Sequence, residues 1–427
     1  MRVIAAATLC LTAPGSALAQ ELPVGDSAAL GFDAARLERV GTLIQHLVNT
    51  DTIAGAVLMV ARDGRVVFSG AYGLADRERK VPMRLDNIFR LASATKIWIS
   101  TVALMLYEDG AFAMDTPVTE FVPEFASLEV RKGDGAIASA EKQATMRDLF
   151  RHTCGYGYGF GGAQQAAYRE AGILTRGPTL DWTHDWSLAE WAQHLATVPL
   201  AAEPGASFDY GLCHDILGLA LEKVARQPLD ELLEARVLRP LGLNSTGFWF
   251  DDQRARRLAN VYEVSNGTLR LVDDANSTRF RRKPGALSGG GGWDSPVGYG
   301  GLASSAPDFL RLLQALLDGG ELDGVRILGR KTTELFFRNH LTGLDSEDSY
   351  WPGVGFGLGT AVLYDPGRFG DIGSAGTIWW AGSNGAYFWV DPVERVVGVY
   401  MTQARPFDVG GTMDRVRRAV MTSLVAR

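Results

Sequence analysis

Cysteine and proline are scarce in this chain: 3 cysteines and 17 prolines among 427 residues. Too few cysteines remain for a disulfide framework of the kind that holds small secreted domains together. The low proline count argues against a collagen-like or proline-rich linker composition. Six histidines, at 46, 152, 184, 194, 214 and 340, are scattered without metal-ligand spacing, and no Cys/His pattern resembles a zinc site. No metal and no cofactor is expected. Basic residues are also in deficit: 42 Lys and Arg face 49 Asp and Glu, a net charge of −7. The one basic run, Arg279 to Lys283, reads as a solvated loop, so no nucleic-acid partner is expected. After the first residues no stretch reaches the ~18 unbroken apolar residues of a membrane span.

Two properties are present in excess. Hydrophobic residues make up 46% of the chain, enough for a substantial core, and the sequence is not repetitive. Disorder, coiled-coil and solenoid readings are thereby excluded. Glycine is the second, with 50 residues, about 12% against a usual ~7%. Much of it falls in 155–162, 289–301 and 353–385, where close backbone approaches are expected.

The first twenty residues have the form of a secretory leader. Arg2 supplies the positive start, Val3 to Ala13 the apolar stretch, and Ala17-Leu18-Ala19 a small-x-small cleavage site before Gln20. A periplasmic or secreted location is the expectation. Cys10 would leave with the leader, and Cys154 and Cys213 would remain. Free buried thiols are the default for that pair, with a single bridge as the alternative.

The hydrophobic spacing divides the rest. Ala34, Leu37, Val40, Leu43, Ile44 and Leu47 recur at three and four, predicting a helix capped by Asp33 and ending near Asn49. Ala54 to Ala61 and Arg65 to Tyr72 read as strands joined at Arg62-Asp63-Gly64, a hairpin signal. Helical spacing dominates from Ser93 to Gly242, with polar loops at Lys132 to Ser139 and Gly155 to Gly162. Strand signals return at Gly355 to Leu363, Gly376 to Trp380 and Ala386 to Thr402, with a turn at Asp391 to Glu394. A last helix is expected over Thr412 to Val425. The fold class predicted is α+β: one antiparallel sheet covered by the N- and C-terminal helices, with an inserted, mainly helical domain. The expected boundaries are a leader at 1–19, a discontinuous sheet domain at 20–110 and 295–427, and a helical domain at 111–294. A cleft between the two lobes would be the natural place for a site.

The G-x-S-x-G elbow of α/β-hydrolases is absent. Another arrangement stands at Ser93-Ala94-Thr95-Lys96, just before an apolar helical run from Ile97 to Tyr107. On the first turn of a helix, residues i and i+3 are neighbours, which sets the lysine amine beside the serine hydroxyl. The helix N-terminus favours a developing alkoxide there. S-x-x-K alone is weak evidence, because Ser139-Ala140-Glu141-Lys142 repeats it in a charged stretch with no helix following. Two further motifs decide between them. Ser207-Phe208-Asp209-Tyr210-Gly211-Leu212 precedes a helical run, and Trp379-Trp380-Ala381-Gly382-Ser383-Asn384-Gly385 leads into a strand.

In this order and spacing the three motifs resemble the serine β-lactamase and penicillin-binding-protein superfamily, and most closely its class C β-lactamase-like branch, the family VIII carboxylesterases. The resemblance extends over nearly the whole mature chain, including Arg151-His152-Thr153-Cys154-Gly155 and Tyr299 to Asp308. It implies that Ser93 is an acylated nucleophile, that Lys96 and Tyr210 form the base system, and that backbone amides of Ser93 and Ser383 form the oxyanion hole. Gly382 would be small so that the substrate carbonyl can approach. It also implies an ionised Tyr210, which would require about 4 kcal/mol of differential stabilisation to bring a phenol from ~10 towards neutrality.

Two departures from the β-lactamase pattern shape the expected substrate. Trp380 stands where a carboxylate-binding cation is usual, and Leu212 replaces the asparagine two residues after the tyrosine. Both point away from anionic β-lactams and amides, towards neutral acyl esters. Trp380, Ala381, Gly382, Leu212, Tyr156, Tyr158 and Trp379 are the expected pocket residues, with Phe160, Trp293 and Trp351 as further loop aromatics. The function expected is a serine esterase acting on small-molecule esters of short-to-medium acyl chains. A β-lactamase, a D-amino-acid amidase or peptidase, an acyltransferase, and a non-catalytic binder of cell-wall peptides are the alternatives. Oligomeric state, acyl preference and stereoselectivity are not encoded in any motif.

Overall fold

The computed structural model describes residues 21–158, 162–173, 186, 188–265, 267–273, 301–344 and 348–426. The leader, Phe160, Arg279 to Lys283 and Trp293 lie outside the described residues.

Helix α1, Ala34–Asn49, begins where Asp33 accepts the Arg36 N–H at 2.9 Å, and it buries Leu37, Val40, Ile44 and Leu47. Strands β1 (Gly55–Arg62) and β2 (Arg65–Asp76) follow. Between them Asp63 and Gly64 both take positive φ, 48° and 71°, the turn that suits the twist of a tight hairpin. Strand β3 is Val81–Pro82. The remaining strands come from the far end of the chain: β4 (Val354–Phe356), β5 (Ala361–Leu363), β6 (Ile378–Ala381), β7 (Ala386–Asp391) and β8 (Val396–Thr402). They form one antiparallel sheet in the order β4-β5-β6-β7-β8-β1-β2-β3. The chain ends meet where β8 pairs with β1, from Ala56 opposite Thr402 to Arg62 opposite Val396.

All eight residues of β1 are buried, because the sheet is covered on both faces. Phe388 on β7 packs against Phe309 of the helix Ala306–Leu317, with ring centroids 5.1 Å apart. Its neighbour Tyr387 points to the opposite face, where the C-terminal helix Thr412–Met421 lies. That helix ends earlier than the expected Val425 and packs on α1. Among the described residues, the sheet draws its strands from 55–82 and 354–402.

The intervening chain is mainly helical. Helix α2, Lys96–Glu108, is buried on nearly every side, as its apolar sequence requires. Helix α3, Met146–Phe150, opens with a reciprocal capping box between Thr145 and Asp148. Helix α4 is Cys213–Ala225. The stretch expected as a loop at 132–139 instead closes a small hairpin, with Glu129–Arg131 paired to Ile137–Ser139. A second correction concerns the thiols. Cys154 and Cys213 form a disulfide, with Cα atoms 6.0 Å apart. The loop after α3 and the start of α4 run side by side, linked by a bridge between Gly157 and Gly211. A side chain at 211 would meet the Tyr156 carbonyl oxygen at 2.2 Å, so glycine permits the contact that brings the cysteines together.

Candidate active site

The segment Ile88–Arg90 pairs with Ala303–Ser305, then turns through one 3-10 turn, Ala92–Thr95, into α2. Ala92 carries the turn at φ 45°, a left-handed conformation uncommon for alanine. The loop before Ala303 pins it: Leu302 N–H donates to Thr95 Oγ1 at 2.9 Å, and Leu91 N–H donates to the Leu302 carbonyl at 2.9 Å. Ser93 thus lies in a 3-10 turn, one step before the expected α-helical position. The tighter winding strengthens the expected pairing, since residues three apart eclipse at three residues per turn. Ser93 is buried but lines the cleft, and Lys96 is fully buried beneath it.

Tyr210 enters from the loop before α4. Its phenol oxygen accepts the Trp380 Nε1–H at 2.8 Å and shares further hydrogen bonds with the Ser93 and Tyr158 hydroxyls. Its backbone N–H donates to the Tyr350 hydroxyl at 3.2 Å. Lys96 Nζ sits 4.8 Å from the Tyr210 ring centroid and donates to the Tyr158 hydroxyl at 3.4 Å. The structure therefore brings the expected catalytic three together. The expected ionisation of Tyr210 is corrected, however: burial pushes its pKa well above the ordinary phenol range. The hydrogen bonds from Ser93, Trp380 and Tyr158 only partly offset this.

Trp380, next to last on strand β6, has its indole N–H turned onto the Tyr210 oxygen. The hairpin turn 382–385 follows, carrying Ser383 beside the cleft. Gly382 meets a packing requirement besides the one expected of it. A Cβ there would lie 2.0 Å from the carbonyl oxygen of Leu91, so its bareness lets strand β6 close onto the nucleophile turn. The two segments whose amides are the oxyanion candidates, at Ser93 and Ser383, are brought together in this way.

The cleft has a volume of about 540 Å3. Of the expected pocket residues, Tyr158, Trp379, Trp380 and Ala381 line it, as does Trp351. Tyr156, Leu212 and Gly382 are not among its lining residues. Tyr156 is buried, donating to the Leu195 carbonyl at 3.2 Å and packing on Phe125, and burial raises its pKa well above the phenol range. Leu212 is buried at the head of α4, where its side chain packs into the core. Sequence reasoning missed Tyr350, Phe369, Tyr387, Phe407, Met413 and the carboxylates of Asp408 and Asp414. They come from loops, a short helix, strand β7 and the last helix, and no motif marks them as pocket residues. No lysine or arginine is among the described lining residues. Among the described residues no cluster of three or more His, Cys, Asp or Glu side chains could hold a metal ion, and no helix is long and apolar enough to cross a membrane.

Comparison with known proteins places the chain by family and fold. Residues 40–421 match the family model described as beta-lactamase. The esterase EstB of Burkholderia gladioli is 33% identical over 86% of this chain and 90% of its own. A lovastatin esterase of Penicillium rubens is 27% identical over 85% of this chain and 92% of its own. Among solved structures, EstCE1, described as a hydrolase with promiscuous acyltransferase activity, superposes with a TM-score of 0.75. It is 28% identical, covering 94% of this chain and 99% of that one.

Proposed function

The chain belongs to the beta-lactamase superfamily, on its family VIII carboxylesterase branch, and is a serine hydrolase; within that class we propose that it hydrolyses neutral, short-to-medium acyl esters through an acyl-enzyme on Ser93. One observation carries the proposal. Where β-lactamases present a cation to the substrate carboxylate, this site presents Trp380, and its N–H is committed to the Tyr210 oxygen. The lining adds aromatic rings and two carboxylates, so an anionic substrate meets no compensating charge.

In this reading the minor, deprotonated form of Tyr210 takes the proton from Ser93 as Oγ bonds to the ester carbonyl. The Lys96 ammonium beside the ring stabilises that form, together with the Trp380 N–H. Amides of Ser93 and Ser383 receive the carbonyl oxygen. The tetrahedral intermediate collapses, and the departing alkoxide takes the proton from Tyr210. Water then attacks the acyl-enzyme, giving its proton to Tyr210, which returns it to Ser93. Turnover of a panel of nitrophenyl esters and a chromogenic cephalosporin, with Ser93→Ala as control, tests this. Ester turnover that is lost in the variant, with poor cephalosporin turnover, supports the proposal. Cephalosporin turnover equal to that of the esters favours the β-lactamase or amidase alternative.

Acyl transfer is a second reading, favoured by the likeness to EstCE1. Added alcohol should then divert the acyl group into a new ester. We further propose a periplasmic or secreted location. The leader-like start and the disulfide between Cys154 and Cys213 both support an oxidising compartment. A mature N-terminus at Gln20 in the periplasmic or culture fraction would bear this out; an intact Met1 in the cytoplasm would refute it.

A further inference from the structure

Behind Tyr210 lies a chain of buried polar groups that the reaction above leaves unused. The Gly211 N–H donates to His152 Nδ1 at 3.1 Å. His152 Nε2 is 3.1 Å from His214 Nδ1, and His214 Nε2 is 3.1 Å from Ser100 Oγ. All three side chains are fully buried.

The first bond dictates the others. His152 Nδ1 must hold a lone pair to accept the amide, so its proton sits on Nε2 and is donated to His214 Nδ1. His214 then carries its proton on Nε2 and donates it to Ser100. Neither ring can take a second proton without losing one of these bonds. Burial, with the nearby Lys96 charge, keeps both imidazoles well below the usual histidine range, and in His152 the neighbouring His214 adds to the effect.

The two ends of the chain are informative. Gly211 follows Tyr210 directly, and Ser100 lies one helical turn after Lys96 on α2. The chain therefore joins the backbone of the proton carrier to the helix that holds the cation and continues directly from the nucleophile's turn. His152 also packs its ring on Tyr210, with centroids 4.5 Å apart. It does so from a left-handed backbone, φ 55°, that asparagine or glycine would adopt at lower cost. A third segment makes room for the far end: a Cβ on Gly359 would lie 2.3 Å from Ser100 Oγ and 2.9 Å from His214 Nε2.

We propose that His152, His214 and Ser100 are positioning residues, a hydrogen-bonded strut that sets Tyr210 at its working distance from Ser93 and Lys96. The proposal rests on the esterase reading, in which Tyr210 carries the proton. Three variants test it with a short-chain nitrophenyl ester. His152→Asn keeps an acceptor for Gly211 and suits the backbone, but cannot reach His214. His214→Asn keeps the acceptor for His152 and loses Ser100. Ser100→Ala removes only the last acceptor.

The strut predicts kcat reduced about 10–100-fold in both histidine variants, with KM within about twofold of the parent. Ser100→Ala should lose roughly threefold, and all three should remain folded at the assay temperature. A His152→Asn protein with parental kcat would overturn the proposal. So would losses of kcat that merely follow the fraction unfolded by thermal melting. Tyr210→Phe separates the two readings. If it retains full activity, the esterase assignment of Tyr210 fails; if it is inactive while His152→Asn is not, the strut alone fails.

Discussion

The chain contains Ser-x-x-Lys twice, and the two copies share a spacing but little else. Ser93 lies in a buried 3-10 turn and Lys96 opens the central helix that follows, beneath a cleft and within reach of the half-buried Tyr210. Ser139 ends a short hairpin strand and Lys142 follows in an exposed stretch, where the surrounding charges pair across the surface: Lys132 reaches both Glu141 and Glu203. At the first copy the lysine charge sits in a desolvated site, 4.8 Å from the centroid of the Tyr210 ring. At the second, water screens it. The chemistry resides in what surrounds the motif.

The comparison is broken most severely by removing each serine. Ser93→Ala should lower kcat/KM on a nitrophenyl ester by about a thousandfold or more, while Ser139→Ala should stay within about twofold. Comparable losses in both would refute the assignment. The pH profile sharpens the contrast next. Because burial raises the Tyr210 pKa, kcat/KM should climb by up to about tenfold per pH unit between about pH 7 and pH 9. A plateau already at about pH 7 would mean a tyrosinate at rest. Trp380→Phe keeps the packing and removes the N–H from the Tyr210 oxygen, so kcat should fall by about tenfold with the alkaline limb moved further up. Unchanged kcat would leave Trp380 a wall and nothing more.

The smaller effects concern stability. The disulfide closes a loop with 59 residues of separation and ties together the segments that carry Tyr158 and Tyr210. Replacing both cysteines by serine should cost about 2–4 kcal/mol, read from denaturant unfolding. Glu222, by contrast, is a half-buried carboxyl away from both motifs, pushed up to about 7 from 4.5 chiefly by burial. Its folded-state pKa lies above the unfolded one, so the ionised form is penalised above about pH 7, and the penalty fades as pH falls towards 4.5. Glu222→Gln should therefore be more stable than the parent by about 1–3 kcal/mol near pH 8, with the gain vanishing near pH 4.5.

The sequence made the local features legible. Asp33 announced its helix and Asp63-Gly64 its hairpin, because caps and tight turns are decided by neighbouring residues. The catalytic three were legible because their order and spacing match a family pattern. What was hidden depends on contacts across long separations. Nothing near Cys154 reveals that Gly157 will touch Gly211 and bring Cys213 alongside. Tyr156 and Tyr158 look alike in sequence, yet one donates into the core and the other lines the cleft. Tyr387, Phe407 and Met413 enter the cleft only because the last helix covers that face of the sheet. Tyr210 was expected to be ionised because its cationic neighbour was foreseeable and the depth of its burial was not.

The most direct test of the account is where a reactive phosphonate attaches. The protein would be treated with a fluorophosphonate probe, digested, and the adduct mapped by mass spectrometry, with ester turnover followed in parallel. The account predicts a single adduct on Ser93, none on Ser139, and loss of turnover in step with labelling. Turnover that persists with Ser93 fully labelled, or an adduct mapping to another residue, would contradict it.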